Sequence, residues 1–451
     1  MDMTKTVRVI KIGIPVLAAA VFCLWLLPQT RLLPVGTAFA LCSVCLFTLA
    51  LTAALSRLAE SFVEKESPLL VSSDTARERL TAWGLLLVFG FAVSLFEFVA
   101  VYQLSGNEGG FLPSFSQLYY RSDVAHYMGI AEDWYVPEGD ERLRLVFLPL
   151  YSLATRALTW NGDYFCGAFI TAQLFSLACL PAAYELFRLD LDRRGAMACT
   201  RILFLLPGAI FLRIPMSEGL FLFLTLLGTY FARKRRFLWA GLFTALSAFT
   251  RSLGILLLGL LFLEMLSAFL DAHRKDRREA FRLIPGYVCA LLLGCCGTLA
   301  YLFINWQVSG SPFTFLIYQR ENWTQQLGLF FNTAAYQSEY ALLYWQEGDM
   351  ESVLSLSLPN LLCCFGALGM LCADRKRMRI SYLMWALVYF AVSVGATWLL
   401  SGPRYLAMLF PLAPALRRLC RAPVREQALE AILLFGQTAY LLMLALDLYV
   451  Y

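Results

Sequence analysis

Charge is scarce in this chain. Asp, Glu, Lys and Arg make up 15% of its 451 residues, where a globular domain carries roughly 25%, so a soluble enzyme is excluded. Also missing is the alternation over segments of about ten residues that membrane barrel strands need. Stretches such as Leu253 to Leu270 stay apolar over a helical length instead, and the barrel is excluded too. No His, Cys and Asp residues cluster at metal-ligand spacing, so no metal and no cofactor is expected. The thirteen cysteines do not read as a disulfide framework: Cys42, Cys45, Cys295, Cys296, Cys363 and Cys364 lie inside apolar runs, where cysteine is a small core residue. The first apolar run, Ile12 to Leu27, follows Lys5, Arg8 and Lys11. It lacks a small-residue cleavage site and is followed at once by another span, so it reads as a retained helix rather than a signal peptide. No convincing internal duplication is present, which counts against a transporter or lipid-sugar flippase built from repeats.

What the chain has in plenty is apolar sequence, 59% of its residues. A hydrocarbon layer of about 30 Å needs about 20 apolar residues per helix, and the runs predict an all-α polytopic membrane protein. Its thirteen transmembrane helices fall near 12–27, 34–55, 82–104, 166–187, 196–213, 216–232, 237–250, 252–270, 284–304, 354–372, 381–400, 404–416 and 429–449. The organisation is one membrane-embedded domain. It comprises an N-terminal three-helix segment (1–104), a first large outer loop (105–160), central helices (161–304), a second outer loop (305–353) and C-terminal helices (354–451).

Seven basic clusters fall between these runs: Lys5/Arg8/Lys11, Arg57/Lys65/Arg77/Arg79, Arg188/Arg193/Arg194, Arg233-Lys234-Arg235-Arg236, Arg274/Lys275/Arg277/Arg278, Arg375-Lys376-Arg377/Arg379 and Arg417/Arg418/Arg421/Arg425. Threading with the N-terminus in the cytoplasm puts all seven on the cytoplasmic side, as the positive-inside rule asks. The clusters are thereby explained as helix flanks, and no nucleic-acid partner is expected. Phe147 to Thr159 is too short to span and would invert every later cluster if it did, so it is expected as an interfacial or re-entrant segment on the outer face. Both long connections then lie outside and both are acidic; 105–146 carries Glu108, Asp123, Glu132, Asp133, Glu138, Asp140 and Glu141 against three arginines.

Within the first loop, the segment Arg121 to Tyr135, if helical, sets Asp123 and His126 one turn apart. A carboxylate there can take a proton from an attacking hydroxyl beside an imidazole that binds or polarises it; equally, Asp123 can simply cap the helix. Three further charges sit at outer helix ends: Glu218 in Pro215-Met216-Ser217-Glu218-Gly219, Arg251 in Thr250-Arg251-Ser252, and Arg404 in Ser401-Gly402-Pro403-Arg404-Tyr405. Charges at membrane depth are functional candidates. Each arginine alone could snorkel to headgroups, whereas two that converge would suit an anionic phosphate.

These residues fall in a series of short motifs. Ser122-Asp123-Val124-Ala125-His126-Tyr127-Met128-Gly129-Ile130-Ala131 is followed by Trp134-Tyr135 and by Phe147-Leu148-Pro149-Leu150-Tyr151-Ser152. Downstream come Ser217-Glu218-Gly219-Leu220-Phe221, Thr250-Arg251-Ser252-Leu253-Gly254, Gly310-Ser311-Pro312 with Gln319 and Trp323, and Arg404-Tyr405 before Phe410-Pro411. In order from about residue 119 to 412, they resemble the PIG-V-like family, similar to GPI mannosyltransferase II, of the GT-C membrane glycosyltransferases. The chain departs from that pattern at Ser122, Ser311 and Leu253, and in having three helices before the Asp123 loop. The resemblance implies a GT-C-type fold in a bacterial plasma membrane with the site on the outer face. It implies inverting transfer of a hexose, typically mannose, from a polyprenyl-phosphate sugar to a lipid-linked or surface glycan acceptor. It assigns Asp123 as general base with His126 assisting, Arg404 and Arg251 to the donor phosphate, and Glu218, Tyr405, Tyr151, Gln319 and Trp323 to sugar or acceptor. An O-antigen polymerase or ligase is the neighbouring enzyme alternative.

Overall fold

A computed structural model describes residues 3–29, 32–63, 74–104, 119–121, 123–396, 401–420, 422–446 and 448–450. Lys65, Glu108, Ser122 and Arg421, named above, lie outside the described residues, as do 397–400. All regular structure among the described residues is helical. The helices are α1 (Met3–Leu26), α2 (Pro34–Glu60), α3 (Ala76–Leu104), α4 (Val124–Asp133), α5 (Leu150–Leu158), α6 (Tyr164–Phe187), α7 (Arg193–Leu205), α8 (Glu218–Arg233) and α9 (Phe237–Thr250). They continue with α10 (Leu257–His273), α11 (Arg277–Ser309), α12 (Thr314–Trp323), α13 (Phe330–Glu347), α14 (Met350–Asp374, with a π turn at Val353–Ser357), α15 (Ile380–Gly395), α16 (Gly402–Leu406), α17 (Leu412–Leu419) and α18 (Pro423–Ala445).

Eight described helices are long and apolar enough to cross a bilayer: α1, α2, α3, α6, α10 with its leading 3₁₀ turn, α11, α14 and α18. The chain is a multi-pass integral membrane protein. Helices α9 and α15 are apolar but shorter. Two expected spans are broken, the first at the residue preceding Pro207, where the α conformation is disfavoured. The run 196–213 ends its α-helix at Leu205; Leu206 is extended (ψ 139°) and Pro207–Leu212 forms a 3₁₀ turn. The run 404–416 is not one helix: α16 ends at Leu406, the chain turns through 407–410, and α17 starts only after Pro411.

The connection 305–353, expected as a loop, is mostly helical. Phe330 at the start of α13 stacks near Phe47 (4.7 Å), thirteen residues or about 20 Å along α2 from Pro34. Glu339 of the same helix accepts from the Leu33 amide (2.6 Å) at the beginning of α2. Helix α13 therefore begins well inside the bundle and climbs back to the end where α2 starts. Its buried face, Phe331, Thr333, Ala334, Ala335, Gln337 and Ser338, is too small and too polar to register as an apolar run.

The bundle has two chemically different ends. At one, the basic clusters are tied into ion pairs: Arg79 with Glu185 (2.7 Å), Arg188 with Asp74 (2.7 Å), Arg233 with Asp190 (2.7 Å), Arg379 with Glu264 (2.6 Å), and Arg418 with Asp374. The other end holds the start of α8, the end of α9 and the start of α10. Between the two ends, helices α9 and α11 approach closely because Gly241 of α9 and Gly297 of α11 each face the other helix's backbone. A Cβ on Gly241 would overlap the Ala290 carbonyl, and one on Gly297 the Ala245 carbonyl, the small-residue contact that drives association in lipid. This fixes α9, which delivers Arg251.

Candidate active site

Four elements far apart in sequence converge at the second end. Asp123 occupies the N-cap position of α4, yet its side chain makes no capping hydrogen bond. Its Oδ2 instead takes Arg404 Nη2 at 2.7 Å. The capping reading of Asp123 is thereby removed: its carboxylate is turned to Arg404 instead. Arg404 also donates through Nε to Glu218 Oε1, the same oxygen that accepts from Arg251 Nη1 at 2.5 Å. Glu218, first residue of α8 and fully buried, is a hinge pin between the two guanidinium groups. The cluster of two carboxylates and two arginines is neutral in sum, which is how buried charges are tolerated.

Backbone conformation delivers both arginines. Arg251 caps α9 in an extended conformation (φ −148°, ψ 143°) before the 3₁₀ turn Ser252–Leu256, so its side chain leaves the helix axis and lies over the Tyr405 ring, 5.3 Å from the centroid. Arg404 sits in the one-turn helix α16, which rests directly on Gly208; a Cβ there would overlap the Pro403 carbonyl. Its guanidinium lies over Phe211, 5.4 Å from the centroid. Ser217 Oγ accepts from Arg251 Nη1 (3.0 Å) and exchanges a hydrogen bond with Tyr127 Oη (2.7 Å). Burial holds the Tyr127 hydroxyl well above its usual range, so it stays protonated and acts as a polar strut.

Asp123, Arg251 and Arg404 line a cavity of about 250 Å³, together with Tyr405, Gln319 and Trp323. The remaining wall is apolar on one side, from Val146, Phe147 and Leu148, and is completed by Gln325, Gln326 and Leu327 of the segment leading into α13. A volume just below the usual 300–1,000 Å³ of small-molecule sites suits one polar head group rather than a whole lipid-linked molecule.

Three of the residues expected at the site lie off this wall. Glu218 is behind the arginines. Tyr151 is fully buried, packs edge-on to Tyr127 (5.3 Å) and donates to the Ala168 carbonyl (2.6 Å), so it supports Tyr127 from beneath. His126 is half-buried and stacks on Phe147 (4.6 Å) with Trp323 at its edge (6.0 Å). Burial, with Arg144 adding to it and Asp123 opposing, lowers its pKa below the ordinary 6.5, which favours the neutral imidazole. The turn that closes this wall passes through Trp134, at φ 70°, a backbone region that favours glycine; from it Tyr135 Oη donates to the Phe147 carbonyl (2.6 Å).

Ser217, Tyr127 and the 325–327 segment were not legible as site residues: serine and tyrosine carry no charge penalty in a membrane, and 325–327 has no motif. Among the described residues no group of three His, Cys, Asp or Glu side chains could hold a metal ion. Compared with family models, with curated proteins and with solved structures, the chain matches none.

Proposed function

We propose that this protein is a membrane glycosyltransferase that moves a hexose, most simply mannose, from a polyprenyl-phosphate sugar to a lipid-linked or surface glycan acceptor. The observation that carries the reading is the convergence of Asp123, Arg251 and Arg404 on one small cavity at one end of a membrane-spanning bundle. Proton acceptor and anion-binding forks side by side are what transfer from a phosphate-linked sugar needs.

In this mechanism the acceptor hydroxyl attacks the anomeric carbon. The new C–O bond forms as the bond from that carbon to the phosphate oxygen breaks, with inversion. Asp123 takes the hydroxyl proton. The electron pair leaves with the polyprenyl phosphate, whose growing charge falls to Arg251 and Arg404. Glu218 holds the two guanidinium groups at one spacing, Gln319 and Tyr405 offer hydrogen bonds to the sugar, and the apolar wall at Phe147 and Trp323 offers a face to stack on. His126, held neutral, supports that wall.

The reading includes a GT-C-type arrangement with thirteen membrane passes, the eight long helices being joined by the shorter α8, α9 and α15 and by the two interrupted segments 196–213 and 404–416. The basic end faces the cytoplasm by the positive-inside rule, and the site faces the outer side of a bacterial plasma membrane. The test is transfer of label from radiolabelled polyprenyl-phosphate mannose in membranes containing the protein. Asp123→Asn, which keeps an acceptor oxygen for Arg404, should lose about 10²–10⁴-fold with the protein still present. Undiminished labelling by that variant refutes the base assignment, and no labelling by the wild type with several sugar donors refutes the activity.

A further inference from the structure

The first two helices form a second site, at the opposite end from the chemistry. Helix α1 is the least buried of the eight spanning helices. Near its C-terminal end it is held by an aromatic cluster, Trp25 meeting Phe331 edge-on at 5.2 Å and Phe22 lying beside it at 6.1 Å. Toward the basic end, α1 and α2 leave a groove of about 840 Å³ between them. Its walls are apolar or small, from Pro15 to Cys23 on α1 and from Leu41 to Ser56 on α2. Twenty residues of α2, Leu41 to Glu60, run along it, about 28 Å at the helical rise, close to the thickness of the hydrocarbon layer.

The groove changes character at its end. Lys11, Arg57, Arg375 and Lys376 meet there around the single carboxylate of Glu60. Arg57 is held in place by donating to the Arg375 and Met378 carbonyls (2.8 and 2.6 Å), which fastens the turn after α14 to α2 and brings Lys376 to the rim. Lys11 and Lys376 are both exposed. A long apolar slot ending in an excess of three positive charges matches an amphiphile with an anionic head and a hydrocarbon tail, and basic pockets between membrane helices bind such head groups. Neither a neutral lipid nor an apolar helix of another protein would use those cations.

We infer that the α1–α2 groove is a binding site for an anionic glycerophospholipid of the leaflet at the basic end, its acyl chain along the α2 wall and its phosphate at Lys11 and Lys376. The site is separate from the cavity around Asp123 and does not depend on the reaction assigned there. Its occupant would brace α1, which otherwise packs on the rest of the bundle along only part of its length.

Native mass spectrometry of the full chain, purified in neutral detergent, tests this with phosphatidylglycerol, phosphatidylcholine of the same acyl chains, and inorganic phosphate. The expected result is one retained phosphatidylglycerol per chain and no comparable retention of phosphatidylcholine or phosphate. Lys11→Gln/Lys376→Gln should weaken retention about fivefold for each lysine removed. Ala19→Trp, which keeps the charges and fills the groove at an exposed position, should abolish it. Lys234→Gln/Lys275→Gln, the same change of charge elsewhere on the basic end, should leave it intact. Equal retention of the two lipids, retention of free phosphate alone, a chain dimer in place of the lipid, or unchanged phosphatidylglycerol binding in both groove variants would each overturn the inference.

Discussion

Replacing Glu218 by glutamine removes one negative charge from a cluster of four and leaves two buried guanidinium groups facing only Asp123. At an effective dielectric near 20, a guanidinium and a carboxylate about 4 Å apart between charge centres attract by about 4 kcal/mol. Glu218 Oε1 serves both arginines, and most of that attraction is offset by the cost of burying the ions. Removing one partner of a buried pair nonetheless costs about 3–5 kcal/mol, because a buried charge is left uncompensated. Glu218→Gln should therefore destabilise the protein by that amount, although it only exchanges one oxygen for an NH2 group of nearly the same shape. The informative comparison is the double variant Glu218→Gln/Arg251→Gln, which restores one arginine to one carboxylate. It should be more stable than Glu218→Gln alone, despite carrying an additional substitution, because no buried charge is left uncompensated. The assay is reversible unfolding in mixed micelles titrated with SDS, followed by tryptophan fluorescence. If the double variant is less stable than the single, with the two losses simply adding, the four side chains are not one electrostatic unit and the account of the site is wrong.

Gly208→Ala should act on Arg404 at a distance in sequence of nearly two hundred residues, since the added methyl meets the Pro403 carbonyl and must push α16 away from the cavity. We expect a loss of transfer activity of more than tenfold at normal expression, with no loss for Gly259→Ala, where nothing lies within 4 Å. His126 predicts a pH effect. Its folded pKa is lowered by burial, so below about 6.5 the unfolded chain binds the proton first and stability falls as the pH is lowered; above that value the effect is absent. His126→Phe should flatten thermal stability between pH 5 and 7 while leaving that at pH 8 unchanged, and an unaltered profile would remove His126 as the cause. Tyr127→Phe breaks the bond to Ser217 (2.7 Å); a cost of about 1 kcal/mol in stability with a larger fall in activity would identify it as a strut for Arg251.

How far the sequence could be read depended on the physics behind each feature. Long apolar helices were legible because crossing lipid imposes a length and a composition that do not depend on neighbours; the run 237–250 matches α9 residue for residue. The break at Pro207 was written in the chain but overridden in the reading by apolar continuity, since hydropathy carries no information about whether the residue before a proline can stay helical; the break after Leu406 carries no such marker. Helix α13 was missed because its burial comes from small residues against α2 rather than from an apolar run. Charges at the helix ends stood out individually, as the bilayer makes them costly. The partners they take were invisible: nothing local says that Arg404 reaches Asp123, 281 positions earlier, or that Glu218 lies between two arginines instead of facing the cavity.

By itself, then, the amino-acid sequence determined that the chain lives in a membrane as a multi-pass helical protein, where its basic flanks lie, and which few charged residues are too expensive to be accidental. Those are one-body properties, set by the transfer of each segment from water to lipid. Only the tertiary structure decided that Asp123, Arg251 and Arg404 share one cavity, that Glu218 and Tyr151 support it from behind, and that α1 and α2 open a groove at the far end. Such facts are many-body properties: they follow from how Gly208, Gly241 and Gly297 let backbones approach, and no composition or periodicity encodes which helices those glycines meet.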